Sequence, residues 1–207
     1  MVAGASTAAA RAGVGVVISQ TYGRKVGNRH WIRQLASRRT DGIVLVVSHL
    51  MPGTAEDLAR LNTPLVLVDP VGDASVSLPS VAATNRAGGI AATEHLLALG
   101  HRRIAIVTGP ADDKCSVEQA RGTYLAAEAA GHRIPEDLSV VGFDDVALCE
   151  WVSPTLTRVR QPLAAMAAEA ITLVLALSAN DEPPLPLRRE LPTRLVVRES
   201  TAPPRSQ

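Results

Sequence analysis

The chain is poor in aromatic side chains: its 207 residues include two Trp, two Tyr and one Phe, 2% of the whole. A core of packed rings is excluded, so Ala, Val, Leu and Ile must build it. Cysteine is equally scarce. Cys115 and Cys149 show no metal-binding or redox spacing and read as small hydrophobes in a reducing cytoplasm. Neither sign of charge is in excess. The formal net charge is +1, so no global field draws in nucleic acid or a membrane. No apolar run reaches the ~20 residues that cross a bilayer. The opening residues 1–7 lack the basic start and apolar centre of a signal peptide, and a cytoplasmic location is the expectation. No internal repeat is present.

What the chain does have is alternation. Hydrophobic residues make up 46% and charged residues 20%, a soluble balance, and the length suits one large domain or two small lobes. An Ala-rich helix is predicted over 2–12, then a strand over 14–19, then a helix capped by Asn28 that carries Trp31, Ile32 and Leu35 on one face. Apolar strands follow over 42–48 and 64–69, separated by a short helix with Thr54 at its N-cap and Asp57 three residues on. Residues 80–84 read as a short edge strand. Asn85 is placed to cap a long helix over 86–99 that stops at Gly100. A buried strand over 103–109, a helix over 116–130, a half-exposed strand over 156–160, an apolar helix with Pro162 at its first position and a last strand over 188–199 complete the order. Strands alternating with helices at this spacing call for parallel sheets with helices on both faces. The chain leaves one lobe after Gly109 and returns near Arg160, which implies a cleft between two lobes.

One stretch organises the rest: Leu138-Ser-Val-Val-Gly-Phe-Asp-Asp145. It reads as a buried central strand whose C-terminal end delivers Asp144 and Asp145 to the place where open α/β sheets bind ligands. The alternative is that the two acids only cap the next short helix. The remaining motifs give no catalytic constellation. His95 and His101 match no metal spacing, Ser116 is not in a nucleophile elbow, and Gly88-Gly89 lacks a phosphate-loop pattern. The chain is therefore read as a non-enzyme, with no cofactor and no metal.

Three motifs lie in order: Asp41-Gly-Ile-Val-Leu-Val, then Asn85-Arg-Ala-Gly-Gly running on to Gly100-His-Arg-Arg-Ile, then Val140-Val-Gly-Phe-Asp-Asp145 followed by Ser153-Pro-Thr-Leu-Thr-Arg-Val-Arg-Gln-Pro162. Together they resemble the effector-binding core of LacI/GalR-family transcriptional regulators, which is itself similar to periplasmic sugar-binding proteins. The resemblance spans about residues 3–201. It implies an α/β fold of two Rossmann-like lobes, of the periplasmic-binding-protein type I. It departs from the family in three places. The helix-turn-helix and hinge helix that read operator DNA are not in this sequence. Nor is the family's first core strand, ahead of the helix at 2–12. Near residues 115–119 the chain skips about two βα units, roughly 60 residues at ~30 each. The C-terminal lobe is therefore expected to be reduced to about two strands. Residues 1–109 with 160–180 are assigned to the N-terminal lobe, 110–159 with 185–201 to the reduced lobe, and 202–207 to a disordered tail.

The resemblance also implies a function. The partner is a small-molecule effector, a carbohydrate, held by carboxylates and amides with an aromatic face beside the ring. Asp144 matches the family's ligand-contacting acid, Gln161 a cleft residue at the return crossover, and Asn85 and Arg86 the loop facing the cleft. Trp151 is the candidate stacking residue, with packing as its alternative. Arg121 is out of register and takes no role. A homodimer is expected, with operator DNA engaged only through a domain absent from this sequence, and with no membrane partner. The alternatives are a free-standing carbohydrate-binding protein and a degenerate fragment without ligand.

Overall fold

A computed structural model describes residues 1–19, 32, 37, 40–47, 50, 52–70, 78–106, 124–144, 152–179 and 188–205. They fall into two compact units. The first is Met1–Ala83 with Pro162–Leu191, and the second is Thr84–Gln161 with Pro192–Gln207.

The first unit is a four-stranded parallel sheet. Its strands are β1 (Ile43–Val46), β2 (Leu65–Val68), β3 (Ser80–Ala83) and β6 (Arg188–Leu191), side by side in the order β1-β2-β3-β6. The pattern of β2 shows why helices must cover both faces. All four residues are buried, and successive side chains leave on opposite sides. Val66 and Val68 join Val81, Met166, Ala170 and Leu173 in one cluster, while Leu65 and Leu67 join Ile32, Leu45, Leu58 and Leu78 in another. Two helices cover the valine side: α4 (Leu163–Ser178), packed against the strands, and α1 (Val2–Arg11), packed on α4. On the leucine side lies α2 (Thr54–Ala59), whose Leu58 is buried.

The second unit is a three-stranded sheet in the order β4-β5-β7. β4 (Val141–Phe143) runs parallel to β5 (Thr157–Arg160), and β7 (Arg194–Val196) runs antiparallel to it. The long helix α3 (Asn85–Ala98) lies on β5 and β7, where Gly88 allows the approach. A Cβ there would come within 2.6 Å of Val159 Cγ1 and 2.9 Å of Thr193 Oγ1.

Several elements differ from the sequence expectations. Residues 14–19 form no strand among the described residues, and Val17 and Ile18 are 80% and 60% exposed. Residues 103–106 behave likewise, with Ile106 82% exposed. Apolar alternation supplies two faces but no neighbour, and neither run has a ladder partner among the described residues. The predicted edge strand at 80–84 is internal and fully buried. The predicted central strand at 138–143 is β4, at the margin of its sheet, with Phe143 37% exposed. The strand expected to be half-exposed, β5, is central and buried up to Val159. The single strand predicted over 188–199 is two strands in two sheets. Pro192, which has no N–H to continue a ladder, stands at the break. Gly53, at φ +79, holds the N-cap position expected for Thr54.

The partition differs as well. The first chain crossing falls at 83/84 rather than 109/110, and β6 belongs to the first unit. Among the described residues the second unit has three strands, where the reduced lobe was expected to have about two. Residues 202–205, expected to be disordered, are tied down: Ala202 bonds to Ser139 and His101, and Arg205 pairs with Asp137 at 3.1 Å.

Ser200 locks this closing segment to the sheet. Its buried hydroxyl accepts from Thr157 N–H at 2.8 Å and donates to Val140 C=O at 2.6 Å. Ser200→Ala strands both backbone groups out of water. A loss of about 2–4 kcal/mol is expected in urea unfolding, from two buried groups at ~1–3 kcal/mol each with partial relaxation.

Candidate functional site

The C-terminal ends of β4 and β5 in the second unit bring Asp144 and Gln161 to one end of one sheet. Asp144 follows β4 directly. It is half-buried and held at φ +70, a left-handed conformation that a non-glycine residue adopts rarely and mainly at turns or constrained sites. Its carbonyl oxygen lies 3.5 Å from Nη1 of Arg158. Gln161 follows β5 directly and is 8% exposed. Its Nε2 donates to Oδ1 of Asn85 at 2.6 Å. This bond fixes the planes of both amides relative to each other.

Asn85 is not the helix cap expected from sequence. It is the first residue of α3; Thr84 holds the cap position, and no side chain caps the helix. The Thr84 hydroxyl instead accepts from Thr193 N–H at 2.9 Å, and the Thr193 hydroxyl donates to the Thr84 carbonyl at 3.1 Å. The start of α3 is thereby pinned to the start of β7. Arg86 is exposed on the first turn of α3. Trp151, Asp145, Arg121 and both cysteines lie outside the described residues.

Sequence reasoning missed the arginines. Arg158 is 1% exposed. Burial first, then the guanidiniums of Arg198 and Arg160, push its pKa down to about 10. Arg160 stands opposite Arg194 in the β5–β7 ladder. The Arg-Val-Arg alternation at 158–160 is the available signal, but by itself it indicates a half-exposed strand. His95 and His101 serve structure: their Nε2 atoms bond Thr201 Oγ1 and the Ala202 carbonyl, each at 2.9 Å. Among the described residues no group of acids, histidines or cysteines is placed to hold a metal ion. Nor is any helix long and apolar enough to cross a membrane.

The periplasmic binding protein-like domain family matches residues 114–201. The ribose operon repressor of Halalkalibacterium halodurans is 30% identical, over 91% of this chain and 71% of that protein. The chain belongs to the LacI/GalR family of transcriptional regulators. A second relative of this LacI-family chain is the transcriptional regulator CelR of Thermobifida fusca, 29% identical over 80% of this chain and 65% of that protein. Among solved structures, a LacI-family regulator from Enterococcus faecalis with bound ribose superposes with a TM-score of 0.78. It is 25% identical and covers 98% of this chain and 92% of its own. The type I periplasmic-binding-protein fold expected from sequence is thus established. The chain spans about two thirds of the length of the curated relatives, 65% to 71% in these two.

Proposed function

We propose that this chain is the effector-binding core of a cytoplasmic LacI-type regulator that senses a small carbohydrate. Asp144 accepts sugar hydroxyls, and Gln161 and Asn85, oriented by their mutual bond, contact the sugar beside it. The observation that carries this reading is the 2.6 Å bond between Gln161 and Asn85, with Gln161 buried, at the end of the sheet where Asp144 emerges. Preorganised amides lower the ordering cost of binding a polar ligand. Relatives named for ribose and for cellobiose support the ligand class. In a full-length dimer, differential affinity of the effector for two conformations shifts the population that holds operator DNA, through a reading head outside this sequence. Arg86 and Trp151 are proposed as peripheral ligand contacts.

Calorimetric titration of the folded chain with pentoses, hexoses and disaccharides tests the proposal. At least one sugar is expected to bind. Asp144→Asn is expected to weaken it about tenfold or more by removing a charge-assisted hydrogen bond, and Asn tolerates the positive φ. Silence with every sugar, in a sample that unfolds cooperatively, overturns it.

A further inference from the structure

The start of α3 is held at two consecutive residues by the end of the β5–β7 ladder. In that ladder Val159 stands opposite Leu195 and Arg160 opposite Arg194. The same register, carried one position further, sets Gln161 across from Thr193. Side chains alternate along a strand, so Val159, Gln161 and Thr193 share one face. It is the face that α3 covers, because a Cβ at Gly88 would press on both Val159 and Thr193. Each of the two opposed residues grips its own residue of the helix start. Gln161 donates to Asn85 at 2.6 Å. Thr193 holds Thr84 through its N–H, which donates to Thr84 Oγ1 at 2.9 Å, and through its hydroxyl, which donates to the Thr84 carbonyl at 3.1 Å. A hydroxyl has one proton to give, so in the 3.2 Å contact between the two hydroxyls Thr84 is the donor. Three bonds thus join two half-buried residues. The Thr84 carbonyl also accepts the Gly88 N–H at 3.0 Å, the first backbone bond of α3, so the latch bears directly on the first turn of the helix. Asn85 lies in that turn, next to Thr84.

We propose that Thr193 is a positioning residue for the effector site: through Thr84 it sets the first turn of α3, and with it the Asn85–Gln161 amide pair. This deepens the sugar-sensing reading above and rests on it. The chain passes between the units at 83/84, 161/162 and 191/192. Thr84, Asn85, Gln161 and Thr193 all lie within two residues of those points, on the second unit's side. The latch and the amide pair therefore fasten together the three segments by which the chain enters or leaves the second unit. An amide pair held in place before the sugar arrives loses less freedom on binding, so loosening the latch costs affinity although Thr193 itself touches no sugar.

The test is calorimetry of the whole chain with a sugar that binds the native protein. Thr193→Val keeps the branched shape and the backbone N–H but removes the hydroxyl, and it is expected to weaken binding about threefold to tenfold. Thr193→Ser restores the hydroxyl and is expected to bind within about twofold of the native chain. Ser200→Ala loosens the same unit away from the latch and is expected to leave affinity within about twofold. A second measurement uses the native chain alone. Coupling is reciprocal, so bound sugar is expected to slow hydrogen exchange at the Thr193 amide severalfold. Native affinity in Thr193→Val, or an equal loss in Ser200→Ala, overturns the positioning role and leaves the sugar reading standing. Exchange at Thr193 that ignores bound sugar overturns it as well, even where the variant does not fold. If no sugar binds the folded native chain, both readings fall.

Discussion

Gly4→Ala is expected to destabilise the first unit by about 1–3 kcal/mol, although alanine is the better helix former by roughly 0.5–1 kcal/mol. The residue lies in α1, where that helix meets α4. A Cβ at position 4 would press on the carbonyl oxygen of Ala164 and lie 2.7 Å from its Cα and 2.8 Å from its carbonyl carbon. Those are backbone atoms near the start of α4, so no rotamer change relieves the overlap; the helices must separate. Separation loosens the cluster of Met166, Ala170 and Leu173, all fully buried on the sheet. Gly89→Ala is the internal control. Gly89 is also helical, with nothing within 4 Å of its added Cβ, and it is expected to gain about 0.5–1 kcal/mol. Urea midpoints of the two variants should move in opposite directions. Equal shifts of the same sign would show that α1 is not seated on α4 in solution.

Arg158→Met is expected to raise stability at neutral pH by about 1–3 kcal/mol. A buried charge is replaced by an apolar chain of similar volume, and repulsion from Arg160 and Arg198 is removed. The pH dependence follows from the depressed pKa of about 10. The unfolded chain keeps the ordinary, higher arginine value. Between those limits the unfolded state binds more protons, so stability contributed by this group rises with pH. Below the folded value the full penalty of the buried charge is present. The gap between variant and native chain should therefore be constant from pH 6 to 8 and narrow as pH climbs through 10. A gap that widens there would show that Arg158 is stabilised in its charged form.

Much of the architecture was legible in the chain because its signals are local. Leu65–Val68 is apolar at every position, and only a strand covered on both faces uses such a run. Gly131, at φ +75, and Gly100, at φ +97, end helices where the sequence places them. What sequence could not supply was adjacency. The apolar run at 14–19 reads like the one at 43–46, yet among the described residues only the second has a neighbour in register. Alternation at 156–160 cannot distinguish a solvated strand from a central one. That was decided by β4 and β7, the second of them more than 30 residues away. Asn85 presents the residue type of a helix cap, and the tertiary contact with Gln161 diverted its oxygen. Asp144 and Gln161 stand out in the sequence only through motif likeness. Arg160 and Arg194 were missed because their opposition exists only once β7 folds back.

The fastening of residues 200–205 bears on how this protein can be handled. Ser200, Thr201 and Ala202 bond to Val140, His95 and Ser139, and Arg205 reaches Asp137. The closing segment is thus a bolt across the second unit rather than a free end. A purification tag or reporter joined directly to it would strain that bolt, whereas a short flexible spacer would leave it seated.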